Sequence, residues 1–277
     1  MKAKRKLRTV IEEAILALCT VIMMIPIYYL VIGAFKKRTD IVKFPLTINA
    51  DIFTLENFPY VIKKMDYWKA LGNTMFITVM ALVIVIICAS LAGFAIARIR
   101  SRIFSGYYKL LVTLMVIPFI GCLLPLTTLS SKLGLYNNIW GCILIQAAWN
   151  MPFSVFLYAG FMGDLPRELE EAAYIDGCST FGVYSRIFLP LLAPVTATCC
   201  IRQGVGIWND YLVTRTLLNE NKNPTLMVGI NSFFGARGSE LGYAFTGILL
   251  VSIPMVILFL CLQKYFIKGI AAGAVKG

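Results

Sequence analysis

Six long apolar stretches, at 14–35, 74–97, 110–129, 140–161, 191–213 and 243–262, constrain this chain more than any other feature. A bilayer core takes a helix of about 20 residues, and within it every backbone N–H and C=O must be satisfied inside the segment. Each stretch therefore reads as a transmembrane helix. The fold class that follows is all-α: a polytopic membrane protein of six transmembrane helices, with residues 1–277 as one transmembrane domain. Charged residues make up only 14% of the chain and hydrophobic ones 59%, whereas a soluble domain carries about 25% charge. The first stretch is too long for a signal-peptide core and no small-residue cleavage site follows it, so it reads as a retained span. The fifth is the least continuous, because polar residues interrupt it.

The net charge of +12 would suggest nucleic acid on a soluble protein. Here the bases flank the spans, which reads as topology rather than nucleic-acid binding. Lys2, Lys4, Arg5, Lys6 and Arg8 precede the first span. Arg98, Arg100 and Arg102 fill the short second connection, and Lys264, Lys268 and Lys276 follow the last span. With six spans all three groups share one side, so both termini are expected in the cytoplasm. The first connection, 36–72, opposes this with seven bases, but it is longer and also carries Asp40, Asp51, Glu56 and Asp66. Residues 55–69 within it are expected to form a short helix on the outer membrane face. Seven of the eight cysteines sit in or at spans, so they read as small apolar packing residues. With no histidine and no CxxC, histidine-based catalysis and the usual zinc sites are excluded.

Several spans carry features beyond apolarity. Ala89, Gly93 and Ala97 recur every four residues in the second, a spacing that lets helices approach closely. Pro118 and Pro125 in the third each remove a hydrogen bond and invite a kink, either a hinge or a fixed shape. In the fourth, Gln146, Asn150 and Ser154 form one polar stripe, which must face either protein or a watery path. In the fifth, Arg202, Gln203, Asn209 and Asp210 need a bundle interior. Arg202 is open to two readings: part of a substrate path, or a structural partner of Asp210. Gln146, Asn150, Arg202, Asn209 and Asp210 are thus the path residues suggested by polarity alone.

Between the fourth and fifth spans, residues 164–190 are more patterned than a connector requires. Asp164 reads as an N-cap and Pro166 as a first-turn residue. Glu168, Glu170 and Glu171 lie near the positive end of the helix dipole. Ala172 and Ala173 leave a shallow face for another protein. Asp176 precedes Gly177, which can take positive φ and reverse the chain. A second helix at about 180–188 leads to Pro190.

Glu171-Ala172-Ala173, then three residues, Gly177, nine residues and Ile187-Phe188-Leu189-Pro190 resembles the EAA loop of permease subunits of ABC importers, with each fixed position met. The lead-in Leu165-Pro166-Arg167-Glu168-Leu169-Glu170 is similar to that family too. So are Phe94-Ala95-Ile96-Ala97-Arg98-Ile99, Leu133-Gly134-Leu135-Tyr136-Asn137-Asn138, Ile207-Trp208-Asn209-Asp210 and the ending Lys268 to Gly277. Together they resemble the carbohydrate-importer branch, specifically the shorter, maltose-permease G-type subunit. The resemblance implies a six-span permease of a bacterial or archaeal cytoplasmic membrane. It implies a second permease as heterodimer partner, two cytoplasmic ATPase subunits and an extracytoplasmic sugar-binding protein. ATP and Mg would sit on the ATPases, with no cofactor on this chain. Glu170, Glu171, Ala172, Ala173, Asp176 and Gly177 would be the ATPase-coupling residues. The Arg202-Gln203 pair departs from the family's usual apolar fifth span and suggests an anionic or heavily hydroxylated sugar.

This reading requires no nucleotide motif in the chain, and no GxxxxGK[ST] is present. An ion-coupled secondary transporter should show repeated halves and buried acids; Asp210 is the one acid inside an expected span. An intramembrane enzyme would need HExxH, GxSxG or paired aspartates, and none occurs.

Overall fold

A computed structural model describes residues 2–235 and 238–274. Lys276 and the last residues of the basic ending therefore lie outside the described residues. The helices in chain order are α1 (Lys2–Ala34), α2 (Arg38–Lys43), α3 (Asn57–Lys64), α4 (Tyr67–Arg98), α5 (Arg102–Leu114), α6 (Phe119–Lys132) and α7 (Ile139–Gly163). They continue as α8 (Glu168–Ile175), α9 (Thr180–Val183), α10 (Leu189–Leu191), α11 (Ala193–Trp208), α12 (Leu212–Leu217), α13 (Leu226–Asn231) and α14 (Leu241–Ala274). A π turn, Tyr184–Phe188, joins α9 to α10, and one two-stranded ribbon pairs Phe234–Gly235 with Gly238–Ser239.

Among the described residues, four helices are long and apolar enough to cross a membrane: Thr9–Ala34, Tyr67–Arg98, Ile139–Gly163 and Leu241–Cys261. Two bent pairs pass the same test as broken spans, bringing the total to six. The third span is broken, as its prolines invite, and the fifth meets the helix before it at a bend. The third bends by 109° between α5 and α6. The turn before Pro118 closes with i→i−3 bonds from Met115, Val116 and Ile117, and proline has no N–H with which to continue the ladder. Pro125 sits inside α6 without breaking it, so only one of the two prolines interrupts the span. The fifth bends by 69° between α10 and α11, at Leu192, flanked by Pro190 and Pro194. It also ends at Trp208, five residues short of the expected boundary at 213. The helix expected over 55–69 is α3, which is shorter.

The chain divides into two compact units, one drawn from Met1–Tyr67 and Gly229–Ile253, the other from Trp68–Val228 and Pro254–Gly277. In the first, a Cβ at Gly33 would lie 2.3 Å from the Phe245 ring, so glycine sets the approach of α1 to α14. The last carbonyls of α1 have no partner within the helix. Asn57 Nδ2 donates to Ala34 and Lys36, and Thr246 Oγ1 donates to Ala34.

In the second unit the core runs through α4, α7, α11 and the segment 164–192. The four-residue repeat in α4 works as packing: a Cβ on Gly93 would lie 2.7 Å from Tyr158 Cβ and 3.0 Å from Ala159 N of α7. Buried Ala89 lies on the same face. Tyr158 in turn donates to Thr196 Oγ1 of α11 at 2.9 Å. These contacts fix α7 between the other two helices, which positions both regions described next.

Candidate coupling loop and membrane cavity

The segment 164–190 begins differently from the sequence expectation. Asp164 is the C-cap of α7 rather than an N-cap. Pro166 precedes the first turn of α8 instead of lying within it, and Arg167 occupies the N-cap position without a side-chain hydrogen bond. The reversal at Gly177 is as expected. Its φ is +79°, its N–H donates to Tyr174 O, and Cys178 N donates to Ala173 O. This is a Schellman closure, which needs a residue in the left-handed region. The second helix starts at Ser179, whose hydroxyl caps Gly182 N, and passes through the π turn into α10.

The six loop residues separate into two faces. Glu170 and Ala173 are buried against the bundle, whereas Glu171, Ala172, Asp176 and Gly177 are exposed. The shallow outer face is therefore supplied by Ala172 alone, since Ala173 packs against the core. Apolar side chains share the outer surface: Ile175 is 86% exposed and Phe181 69%.

Beneath the loop lies Arg98, the last residue of α4, which the sequence marks as a topology signal and as part of a family-like motif but not as a partner of the loop. Its side chain is 4% exposed and its Nε lies 3.9 Å from Glu170 Oε2, itself 11% exposed. The guanidinium donates to Met162 O and, at 2.8 Å, to Leu165 O, satisfying carbonyls at the end of α7. It lies 4.8 Å from the Phe188 ring centroid. Phe94 packs edge-on against Tyr184 and Phe188, and Ser90 Oγ meets Tyr184 Oη at 2.8 Å. The loop is thus bolted to α4 by one charge cluster and one aromatic cluster. The sequence offers only an arginine ending an apolar run, the first of three in the short connection, inside a family-like motif.

The second region is a cavity of about 550 Å³ lined by α5, α6, α7 and α11. Arg202, Gln203 and Asn150 supply its polar wall, with Trp149, Phe153 and Phe119 as rings. Gln203 has no exposure. Its Nε2 donates to Asn150 O and Ser154 Oγ, both at 3.0 Å, and its Oε1 accepts from Arg202 Nη1 at 2.6 Å. Arg202 lies over Phe153, 4.2 Å from the centroid. The stripe on α7 is satisfied partly within its own helix, with Asn150 donating to Gln146 O and Ser154 to Asn150 O, each at 2.8 Å.

The five path residues do not all meet. Arg202 and Asn150 line the cavity, and Gln203, just beside them, belongs with them. Asn209 is exposed at the end of α11. Asp210 accepts from Val213 N and Thr214 N and so caps α12. No ion pair joins it to Arg202 among the described residues. Gln146 is buried within electrostatic reach of Asp210, but its Nε2 makes no hydrogen bond of good geometry among the described residues.

Residues 86–272, well over half the chain, match the family model described as "Binding-protein-dependent transport system inner membrane component". The chain belongs to this family. It is accordingly a permease subunit, a multi-pass protein of the cytoplasmic membrane and a transport component rather than an enzyme. Among its relatives, the Bacillus subtilis melibiose/raffinose/stachyose import permease protein MelC is 37% identical, covering 100% of both chains. The multiple sugar-binding transport system permease protein MsmG of Streptococcus mutans is 31% identical, again over 100% of both. In fold, the chain matches a bacterial ABC transporter involved in the import of the acidic polysaccharide alginate, with a TM-score of 0.76, 20% identity and coverage of 94% of this chain and 97% of that one. The ion-coupled alternative is set aside by this membership, and the importer permease fold implied by the resemblance, of type I, is the one found.

Proposed function

We propose that this chain is one of two permeases in an ATP-driven importer of an oligosaccharide, and that 164–190 is the loop through which cytoplasmic ATPases move it. The observation that carries this is the two-faced loop: Glu171, Ala172, Ile175 and Phe181 point outward, while Glu170 and Ala173 are tied inward. A partner pressing on the outer face would displace α8 and, with it, Arg98 on α4 and α9–α11. The whole of residues 1–277 then acts as one permease domain. ATP and Mg act on the partner subunits: closing of the ATPase dimer turns the spans outward-open, and hydrolysis resets them. An extracytoplasmic binding protein delivers the sugar.

Both termini and 164–186 lie in the cytoplasm, with 36–72 and 219–240 outside; this is the orientation supported by the basic flanks. The experiment combines two measurements. Copurification of this chain with a second permease and ATPases should yield binding-protein-dependent ATP hydrolysis on an oligosaccharide panel. Glu171→Cys, in a cysteine-free background, should resist an impermeant thiol reagent applied outside intact cells. Labelling of that cysteine from outside overturns the orientation, and a chain that purifies without ATPases overturns the function.

A further inference from the structure

Arg202 differs from Arg98: it is exposed and lines the membrane cavity. Its one hydrogen bond among the described residues goes to Gln203 Oε1, and its one other contact of note is the Phe153 face. Yet it is held firmly. Gln203 is fully buried, with its amide group spent on Asn150 O and Ser154 Oγ, so its carbonyl oxygen has one direction in which to point. The guanidinium is stacked on one face, fixed at one nitrogen, and presents its remaining N–H donors to a cavity of about 550 Å³. An arginine in an apolar span is costly, and a planar fork matches a carboxylate in two-point geometry. Trp149 and Phe153 beside it supply apolar faces of the kind on which a sugar ring can rest.

We propose that Arg202 is the carboxylate-binding residue of a cargo subsite, so that this permease itself recognises an acidic sugar unit, of the uronic acid class. This rests on the permease reading above and goes further, because it places substrate contact on this chain and names the group contacted. The geometry is the argument: the guanidinium is held by Gln203 and Phe153, exposed to the cavity and without an ion-pair partner among the described residues, and a carboxylate would both neutralise it and use its free donors.

Cys122 lines the same cavity and is partly exposed, which makes it a reporter. In the purified complete complex, with this chain's other seven cysteines replaced, alkylation of Cys122 is followed by mass spectrometry. Digalacturonate and its neutral counterpart galactobiose are the probes. Digalacturonate should slow alkylation and galactobiose should not. In Arg202→Gln the half-protecting concentration should rise about tenfold or more, the loss expected for a charge-assisted contact, while Arg202→Lys should keep part of the effect. Equal protection by both probes, protection by neither, or protection untouched by Arg202→Gln overturns the inference; the last two are the results expected if an acid of the second permease already pairs with Arg202. Should the variants fail to assemble, the comparison of probes on the wild-type complex decides alone. ATP hydrolysis is measured on the same preparation. A complex that hydrolyses ATP with its binding protein but shows no carboxylate protection refutes this subsite and leaves the permease reading standing.

Discussion

Two arginines of the same compact unit lie over phenylalanine rings, Arg98 over Phe188 and Arg202 over Phe153, and there the likeness ends. Arg98 is enclosed: two carbonyls accept from its Nη2 and the Glu170 carboxylate lies 3.9 Å from its Nε, which makes no hydrogen bond among the described residues, and almost none of its side chain is open. Arg202 is fixed but open, with one neutral acceptor and a cavity before it. A buried ion pair contributes little compared with an apolar replacement of both partners, but breaking it from one side is costly. Sealed charges therefore suit a joint that must transmit movement as a unit. An open, immobilised charge suits a ligand. The two regions are connected through the chain itself, since the loop that rests on Arg98 continues through the π turn into α11, which carries Arg202.

The comparison can be broken most sharply at Arg98. Arg98→Met leaves Glu170 buried without a counter-charge and uncaps the end of α7, a loss of about 3–5 kcal/mol. The variant should be depleted from the assembled complex, and any complex formed should melt well below wild type. Arg98→Met with Glu170→Met should recover much of that loss. A single variant as stable as wild type would mean that the joint is not sealed by charge.

Next in size is Gly93→Ala, which places a methyl 2.7 Å from Tyr158 Cβ and should cost about 1–3 kcal/mol through overpacking. Its Tm should fall measurably. An unchanged Tm would show that α4 and α7 are less closely held than the joint requires.

Gly177→Val comes third for stability, since a Cβ there meets nothing within 4 Å and the cost is that of the left-handed backbone, about 1–2 kcal/mol. Its effect on function should be larger: the complex should remain in the membrane while transport and sugar-stimulated hydrolysis are lost. Wild-type transport would detach the reversal from coupling.

Arg202→Met should be milder still, about 0.5–1 kcal/mol for the lost cation–ring contact, with assembly retained. Failure to assemble would move Arg202 into the sealed class. Smallest in stability is Glu171→Lys, an exposed change expected within about 0.5 kcal/mol, seen as an unchanged Tm alongside abolished sugar-stimulated ATP hydrolysis.

How much of this was legible in the sequence follows from the range of each signal. Apolar length is a local property, so the spans were placed by it, and positive φ at Gly177 followed from a stop after a helix. Bends were legible only as prolines, and Pro118 and Pro125 look alike in sequence; which one interrupts the span depends on the surrounding packing. The coupling residues are proposed from a local motif, but the division of Ala172 from Ala173 depends on which face of α8 docks. Arg98 and Phe188 are ninety residues apart and no spacing joins them. Arg202 was visible as an anomaly because the bilayer makes it one. Its hold by Gln203 and Phe153 was not, since that depends on α7 and α11 lying side by side. Asp210 was grouped with the path by polarity, whereas its carboxylate serves the start of α12.

The central claim is that the outer face of 164–190 receives the ATPase. Ile175, 86% exposed at the end of α8, is the position from which to test it. With Ile175→Cys in a cysteine-free chain and cysteines scanned across the surface of the copurified ATPase, oxidative cross-linking in the intact complex should join the two subunits, with a yield that changes between nucleotide-free and ATP-bound states. A complex that assembles and hydrolyses ATP, yet gives no cross-link from position 175 to any scanned ATPase position, would contradict the account.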